Sequence, residues 1–277
     1  MVADRYAVIG HPVAHSLSPL IHARFAAETG QDMEYGRLEA PTDAFGATAR
    51  GFFDAGGRGL NVTVPFKAEA FDWCDERSER AARAGAVNTL SIADNQRTIG
   101  DNTDGAGLVR DLRENLGLVL TGRRVLLVGA GGAARGAVGP LLAEAPAQLT
   151  VANRTVARAF ELAADFAAAG PIAGRAFDEV AVDGPFDLVI NASAASLAGQ
   201  LPPLPPALLA AHGAVYDMMY GDAAHPFLEW GRAAGAATAA DGLGMLVEQA
   251  AESFLVWRGV RPETTPVLAH LRATGGR

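Results

Sequence analysis

Apolar and polar residues alternate along "RGLNVTV", where Val62 and Val64 interleave with Asn61 and Thr63. A two-residue period predicts a strand, and Pro65 must end it because proline cannot donate to a sheet ladder. Upstream, "RYAVIG" predicts a first strand and "SPLIHARFAAETG" a helix with Pro19 in its first turn and Gly30 past its end. "MEYGRLEA" reads as a strand and "TDAFGATARGFFDAG" as a helix opened by Thr42. Two helical pieces around "AEAFDWCDERSERAARAG" and a strand in "AVNTLSI" follow, and the turn-rich "IGDNTDGAG" closes this part. A second series opens with the continuous apolar run of "RRVLLVGAGGAARGAVGPLL" and continues through "QLTVANR" and the helix of "TVARAFELAADFAAAG". The strands "FDLVINA" and "GAVYDMMY" come next, joined by "LPPLPP" as a surface connection, and "GLGMLVEQAAESFLVWRG" has the length and spacing of a long helix. Strands alternating with helices imply parallel pairing, so the expected class is α/β.

Composition narrows the function. Hydrophobic residues make up 49% of 277, enough for a sizeable core. A net charge of -8 argues against a nucleic-acid surface, and an anionic ligand must be held by a few local cations. The single cysteine, Cys74, leaves no disulfide framework and reads as a buried, inert thiol. The start "MVADRYAVIG" lacks the pattern of a secretory signal, and prolines and amides interrupt the longest uncharged stretch, so a cytoplasmic protein without a membrane partner is expected.

Two stretches carry candidate chemistry. At the exit of the alternating strand stand an amide, a hydroxyl and an ammonium group, Asn61, Thr63 and Lys67. A solvated turn explains them cheaply; a site for a polyhydroxy acid explains them better. "VLLVGAGGAARG" contains G-x-G-x-x-A, with Gly129, Gly131 and Ala134 after an apolar strand and opening a helix. The first glycine permits a tight turn, the second admits a pyrophosphate, and the small third residue lets helix and strand pack closely. The loop residues Gly129, Ala130, Gly131, Gly132, Ala133 and Ala134 are therefore expected to bind a dinucleotide at the helix start. The following strand ends in Asn153, Arg154 and Thr155, with Arg158 a turn later, where an NAD-binding chain places an acid. Two guanidinium groups and a hydroxyl suit a 2'-phosphate, which points to NADP.

These motifs together resemble the shikimate dehydrogenase family. The resemblance runs from "AVIGHPVAHSLSP" through "NVTVPFK", "AGAVNTL", "GDNTDG", "GAGGAARG" and "NRT" to "DGLGMLVEQA", essentially the whole chain in order. It implies NADP-linked, reversible reduction of 3-dehydroshikimate to shikimate in chorismate and aromatic amino-acid biosynthesis. It also implies a catalytic Lys67 with Asp104 as its partner. By itself Lys67 reads first as a surface charge starting a helix. The family binds shikimate through the serines of its S-x-S-P loop, here Ser16 and Ser18, which also read as turn and helix-cap residues. Asn61, Thr63, Asn88, Asp104, Tyr220 and Gln249 complete the implied substrate set. Gln249 is an amide on the apolar face that Leu246, Phe254 and Trp257 continue. Met218 and Gly242 match positions at the nicotinamide end of the cofactor, and Glu79 a cofactor-side position that an ordinary exposed helix acid would also fill. The chain departs from the family at "NASAAS", residues 191–196, where Asn-Ala-Thr-Ser-x-Gly is common.

The implied architecture is an N-terminal α/β substrate domain, residues 1–105 with 241–277 returning to it, and a Rossmann-like doubly wound NADP-binding domain, 106–240. The return follows if Gln249 is to reach the pocket of Lys67, and the active site is expected in the cleft between the domains, in a monomer or homodimer. Rival readings fit less well. His11, His15 and His22 lack an acid to complete a metal set, and no G-x-S-x-G elbow surrounds a serine. A non-catalytic NADP sensor has no reason to keep Lys67, Asp104 and Gln249. A quinate/shikimate enzyme that accepts NAD calls for an acid near Arg154.

Overall fold

The computed structural model describes residues 3–193 and 200–275. They form two compact units, Met1–Gly107 with Leu246–Arg277 and Leu108–Met245. The first contains β1 (Asp4–Gly10), α1 (Ser18–Thr29), β2 (Met33–Glu39), α2 (Phe45–Asp54), β3 (Gly57–Val62), α3 (Lys67–Trp73), β4 (Glu76–Arg77), α4 (Glu79–Ala84), β5 (Thr89–Ile92), β6 (Thr98–Asp101) and the start of α5 (Asp104–Arg110). The second contains β7 (Arg124–Val128), α6 (Gly132–Ala143), β8 (Gln148–Ala152), α7 (Val156–Asp165), β9 (Ile172–Arg175), β10 (Phe186–Asn191), β11 (Leu209–Asp217), α8 (His225–Ala233) and β12 (Thr238–Asp241). The chain leaves it along α9 (Leu243–Arg258) and ends in α10 (Thr265–Thr274), back in the first unit.

In the first sheet the order is β2-β1-β3-β5-β6-β4, and β1, β2 and β3 are parallel. The rest corrects the expectation of purely parallel pairing. β5 runs antiparallel to β3, and the turn-rich segment before "NTDG" contains β6, which forms a hairpin with β5. Its turn closes with Ala93 N–H on Arg97 O, and Gln96 takes a left-handed φ of 64°. Register matters for the site. Asn61 pairs with Thr89 and Thr89 with Asp101, so the end of β3, the start of β5 and the end of β6 lie together. Phe45, Leu60, Phe66 and Leu90 fill the core under this sheet. Thr42 does not open α2; the helix starts at Phe45 and its cap, Ala44, offers no side-chain acceptor. Gly30 does end α1, with φ of 65° and its N–H on Ala26 O.

The second sheet is parallel throughout, in the order β12-β11-β10-β7-β8-β9. Counted from β7 this is 3-2-1-4-5-6 read from the other edge, the doubly wound Rossmann arrangement, with its switch point between β7 and β10. Both faces are covered, which explains the unbroken apolar run of β7. Val125 and Leu127 join one core with Val138 and Leu141, while Leu126 and Val128 join another with Phe186 and Phe227. "LPPLPP" is exposed at Leu201, Pro203, Pro205 and Pro206, while Pro202 and Leu204 are buried and Leu204 turns into this second core. Among the described residues no helix is long and apolar enough to cross a membrane.

One buried group makes the first unit sensitive to acid. His22 is fully buried, stacks on Tyr35 at 4.1 Å, and has no hydrogen-bond partner on either ring nitrogen among the described residues. Burial lowers its pKa to about 3, and the nearby Asn61 amide offsets only part of that. An unfolded histidine titrates near 6.5. Between those values the unfolded chain binds the extra proton, so stability falls as pH drops through that window. His22→Leu should flatten this slope. Urea midpoints at pH 7 and pH 4.5 test it, and equal losses in wild type and variant would refute it.

Candidate active site

β3 ends at Val62, and a four-residue turn delivers Lys67 as the first residue of α3. That turn is anchored by Phe66, 1% exposed and stacked on Phe45, and by the Val87 N–H, which donates to Lys67 O at 2.9 Å. The Lys67 side chain stays partly exposed, and its Nζ donates to Asp104 Oδ2 at 2.5 Å. Asp104 is the first residue of α5 and is buried. Its other oxygen, Oδ1, accepts from Asn88 Nδ2 at 2.8 Å, so the carboxylate is gripped from both sides.

Behind this pair lies a buried cluster of amides and hydroxyls. Asn88 Oδ1 accepts from the Thr103 N–H at 2.8 Å, and Asn88 Nδ2 reaches Gln249 Oε1 at 3.3 Å. Gln249 Nε2 donates to Leu246 O at 2.9 Å. Asn61 Oδ1 accepts from Tyr35 Oη at 2.7 Å, and its Nδ2 donates to Ser253 Oγ at 2.9 Å. Asn61, Lys67, Asn88, Asp104 and Gln249 are thus brought into one cluster from segments far apart in the chain. Helix packing brings Gln249 close: a Cβ on Gly107 would stand 2.6 Å from its backbone nitrogen. Thr63 is half-buried at the start of the turn, its N–H on Ile9 O.

Ser16 and Ser18 sit at the entrance to α1, and the buried Ser18 hydroxyl faces Tyr35, the residue that bonds Asn61. The cap of α1 is Leu17 and makes no side-chain bond, so neither serine fills that position. Ser16 Oγ instead accepts from the Ser18 N–H at 3.3 Å, and Arg37 Nη2 braces the turn through Ser16 O at 2.7 Å.

In the second unit the remaining positions gather at the carboxyl ends of parallel strands, where open α/β sheets bind ligands. Gly129 follows β7 with φ of 116°, and a Cβ there would lie 3.0 Å from Ala192 O. A side chain would be strained and crowded, so glycine is required. Gly131, Gly132 and Ala133 are exposed, and a Cβ on either glycine would meet nothing within 4 Å. Ala130 is half-buried, while Ala134 is fully buried against the strand. The first N–H groups of the twelve-residue α6 therefore face open space that an anion can fill. At the end of β8, Asn153 Nδ2 donates to Thr155 O at 2.9 Å and shapes the turn. Arg154, Thr155 and Arg158 are exposed, and neither arginine has a carboxylate partner among the described residues. Open amides at a helix start plus two free guanidinium groups fit a pyrophosphate and a 2'-phosphate. Met218 follows β11, half-buried, with its N–H on Asn191 O at 2.9 Å. Gly242 follows β12 so closely that a Cβ would stand 2.3 Å from Met218 O. Tyr220 is 36% exposed, and burial of the rest pushes its phenol up.

Comparison with known proteins agrees with this arrangement. Residues 8–90 match the shikimate dehydrogenase substrate binding domain, 111–198 the shikimate/quinate 5-dehydrogenase family, and 242–272 the shikimate 5'-dehydrogenase C-terminal domain. The chain belongs to the shikimate dehydrogenase family. Shikimate dehydrogenase (NADP(+)) of Alkalilimnicola ehrlichii is 58% identical over 271 residues, 98% of this chain and 99% of that one. An Ael1 enzyme from Pseudomonas putida superposes with a TM-score of 0.90 at 47% identity, covering 97% of this chain and 98% of that one. The shikimate 5-dehydrogenase of Thermus thermophilus, solved with NADP(H) and shikimate, gives 0.82 at 33% identity, covering 98% and 99%.

Several residues of this family member's site escaped the sequence reading. Thr103 lies inside "GDNTDG", and Ser253 lies one helical turn beyond Gln249, the only spacing signal for it. Tyr35, on β2, carries no local signal at all. One signal was countable: Lys67 is the chain's only lysine, and every other basic side chain apart from histidine is arginine. Glu79 is exposed on α4 and pairs with Arg83 one turn on, the ordinary fate of a helix acid. In the "NASAAS" segment, Asn191 is buried and donates to Asp217 Oδ2 at 2.9 Å, and Ser193 folds back on it; Ala194, Ala195 and Ser196 lie outside the described residues.

Proposed function

We propose that this protein interconverts 3-dehydroshikimate and shikimate with NADP, the step that family members supply to chorismate and aromatic amino-acid biosynthesis. The observation that carries the site assignment is the 2.5 Å contact of Lys67 Nζ with Asp104 Oδ2, set beside buried amides. A ligand with several hydroxyls needs such partners, because each buried polar group must be satisfied. Bound NADPH supplies the hydride that reaches the ketone carbon. Lys67 Nζ gives a proton to the ketone oxygen as charge develops there, and in the reverse direction it takes the proton from the hydroxyl. Asp104 holds and aims the ammonium group, while Asn61, Asn88 and Gln249 orient the ring. Arg154, Thr155 and Arg158 take the 2'-phosphate and the glycine loop takes the pyrophosphate. A small polar substrate and a diffusible cofactor suit a reaction in the cytoplasm.

The test is spectrophotometric: purified protein, shikimate, and either NADP or NAD. Reduced cofactor should form with strong preference for NADP. No turnover of shikimate, or equal kcat/KM with both cofactors, would defeat the assignment.

A further inference from the structure

A chain of charges runs behind the proton-transfer pair, and no step described so far uses it. Asp101 is buried and accepts from Arg80 Nε at 2.7 Å, Arg80 Nη2 at 2.6 Å, Ser78 Oγ at 2.5 Å and the Asn102 N–H at 2.7 Å. Burial alone would raise its pKa, but the bonds from Arg80 and Ser78 outweigh it and hold the carboxyl below the usual range. The remaining arm of Arg80, Nη1, donates to Glu252 Oε1 at 2.7 Å. These two carboxylates belong to the two segments that matter. Asn102, next to Asp101, is buried and accepts the Asp104 N–H on Oδ1 at 3.1 Å, while its Nδ2 donates to Ala86 O at 3.0 Å. Glu252 lies on α9 three residues after Gln249, and its second oxygen is held by Arg261 at 2.6 Å.

An isolated surface ion pair would contribute little. Arg80 differs because it forks onto one carboxylate and spans to another, in a network with a buried member. A planar guanidinium can do this; an ammonium group, a point charge, cannot. We propose that Arg80 is a positioning residue for the reaction: by clamping Asp101 and Glu252 it sets Asp104 against Lys67 and keeps Gln249 beside them, without touching substrate. This rests on the reading of Lys67 and Asp104 as the proton-transfer pair.

The single lysine makes the proposal measurable without turnover. Carbon-13 labelling at lysine Cε gives one side-chain signal, from Lys67, and Asp104→Asn marks where it moves when the carboxylate is lost. In full-length Arg80→Gln at the same pH, the signal should shift toward that position. The kcat for shikimate should fall by about 10- to 100-fold, as expected when reacting groups are misplaced by about 1 Å. The KM for NADP should stay within about twofold, because the cofactor contacts are unchanged. An unmoved lysine signal with wild-type kcat per folded molecule would overturn the proposal, even if the melting temperature fell. If Arg80→Gln does not fold, Glu252→Gln cuts only the α9 arm: the KM for shikimate should rise with the lysine signal in place, and an unchanged KM would refute the role. If wild type itself fails to oxidise shikimate, the assigned activity falls, yet the lysine signal still decides whether Arg80 holds the contact.

Discussion

Lys67→Ala lowers kcat for shikimate oxidation by about two to four orders of magnitude, the range that a positioned proton-transfer group supplies. The KM for shikimate changes far less, because Asn61, Asn88 and Gln249 remain in the cluster, and NADP affinity is unaffected. A fall in kcat with KM nearly constant is the signature of an interaction made in the transition state. Alanine alone does not separate proton transfer from electrostatics, so Lys67→Arg is the sharper comparison. Arginine keeps the positive charge and the pairing with Asp104, but it stays protonated at any pH the enzyme survives. If Lys67 only stabilised a developing alkoxide, Lys67→Arg would retain much of the activity. If it exchanges a proton, that variant is nearly as slow as alanine. Retention of half the wild-type kcat in Lys67→Arg would remove the proton from the mechanism. Both variants lack lysine altogether, since Lys67 is the only one, so mass analysis after amine labelling verifies each preparation.

How far the residues announced this arrangement varies by region. The centre of the second unit was legible because β7, β8, β10 and β11 are buried strands, and a continuous apolar run followed by glycines has few other meanings; the short edge strands β9 and β12, mostly half-buried, gave no such run. The mixed part of the first sheet was not. β6 is four residues long, "TIGD", with a single large apolar side chain, and its polar neighbours read as a turn. Pairing it with β5 depends on a hairpin whose Gln96 adopts a left-handed φ, for which glutamine gives no signal. The site shows the same division. Lys67 and Asp104 are 37 residues apart, and nothing local joins them; family resemblance, not spacing, named them as partners. Arg80 lies in "ERSERAARAG", where every charge reads as solvated helix surface. Only the fold reveals that one guanidinium there meets carboxylates from β6 and α9.

Substituting both Arg154 and Arg158 by alanine raises the KM for NADP by about 100-fold and leaves kcat/KM for NAD within about twofold, on the basis that a hydrogen bond to a charged group contributes about 1.5–3 kcal/mol, less where exposed. The protein carries a net charge of -8, so the approach of a polyanionic cofactor is opposed by the overall field. Local cations must overcome that, and both arginines are exposed with no carboxylate partner among the described residues to neutralise them. Salt should therefore raise the KM for NADP in wild type more than in the double variant, because screening acts on exposed charges. Arg154→Asp goes further. It places a carboxylate at the end of β8, where an acid bonds a ribose 2'-hydroxyl and repels a 2'-phosphate, so preference should turn toward NAD. Initial rates with both cofactors, at low and high ionic strength, check wild type and both variants. An NADP KM within twofold of wild type in the double variant would mean that the 2'-phosphate is held by other groups. The discrimination would then have to come from the glycine loop or from Asn153 and Thr155, whose neutral donors lack the salt dependence that two guanidinium groups impose.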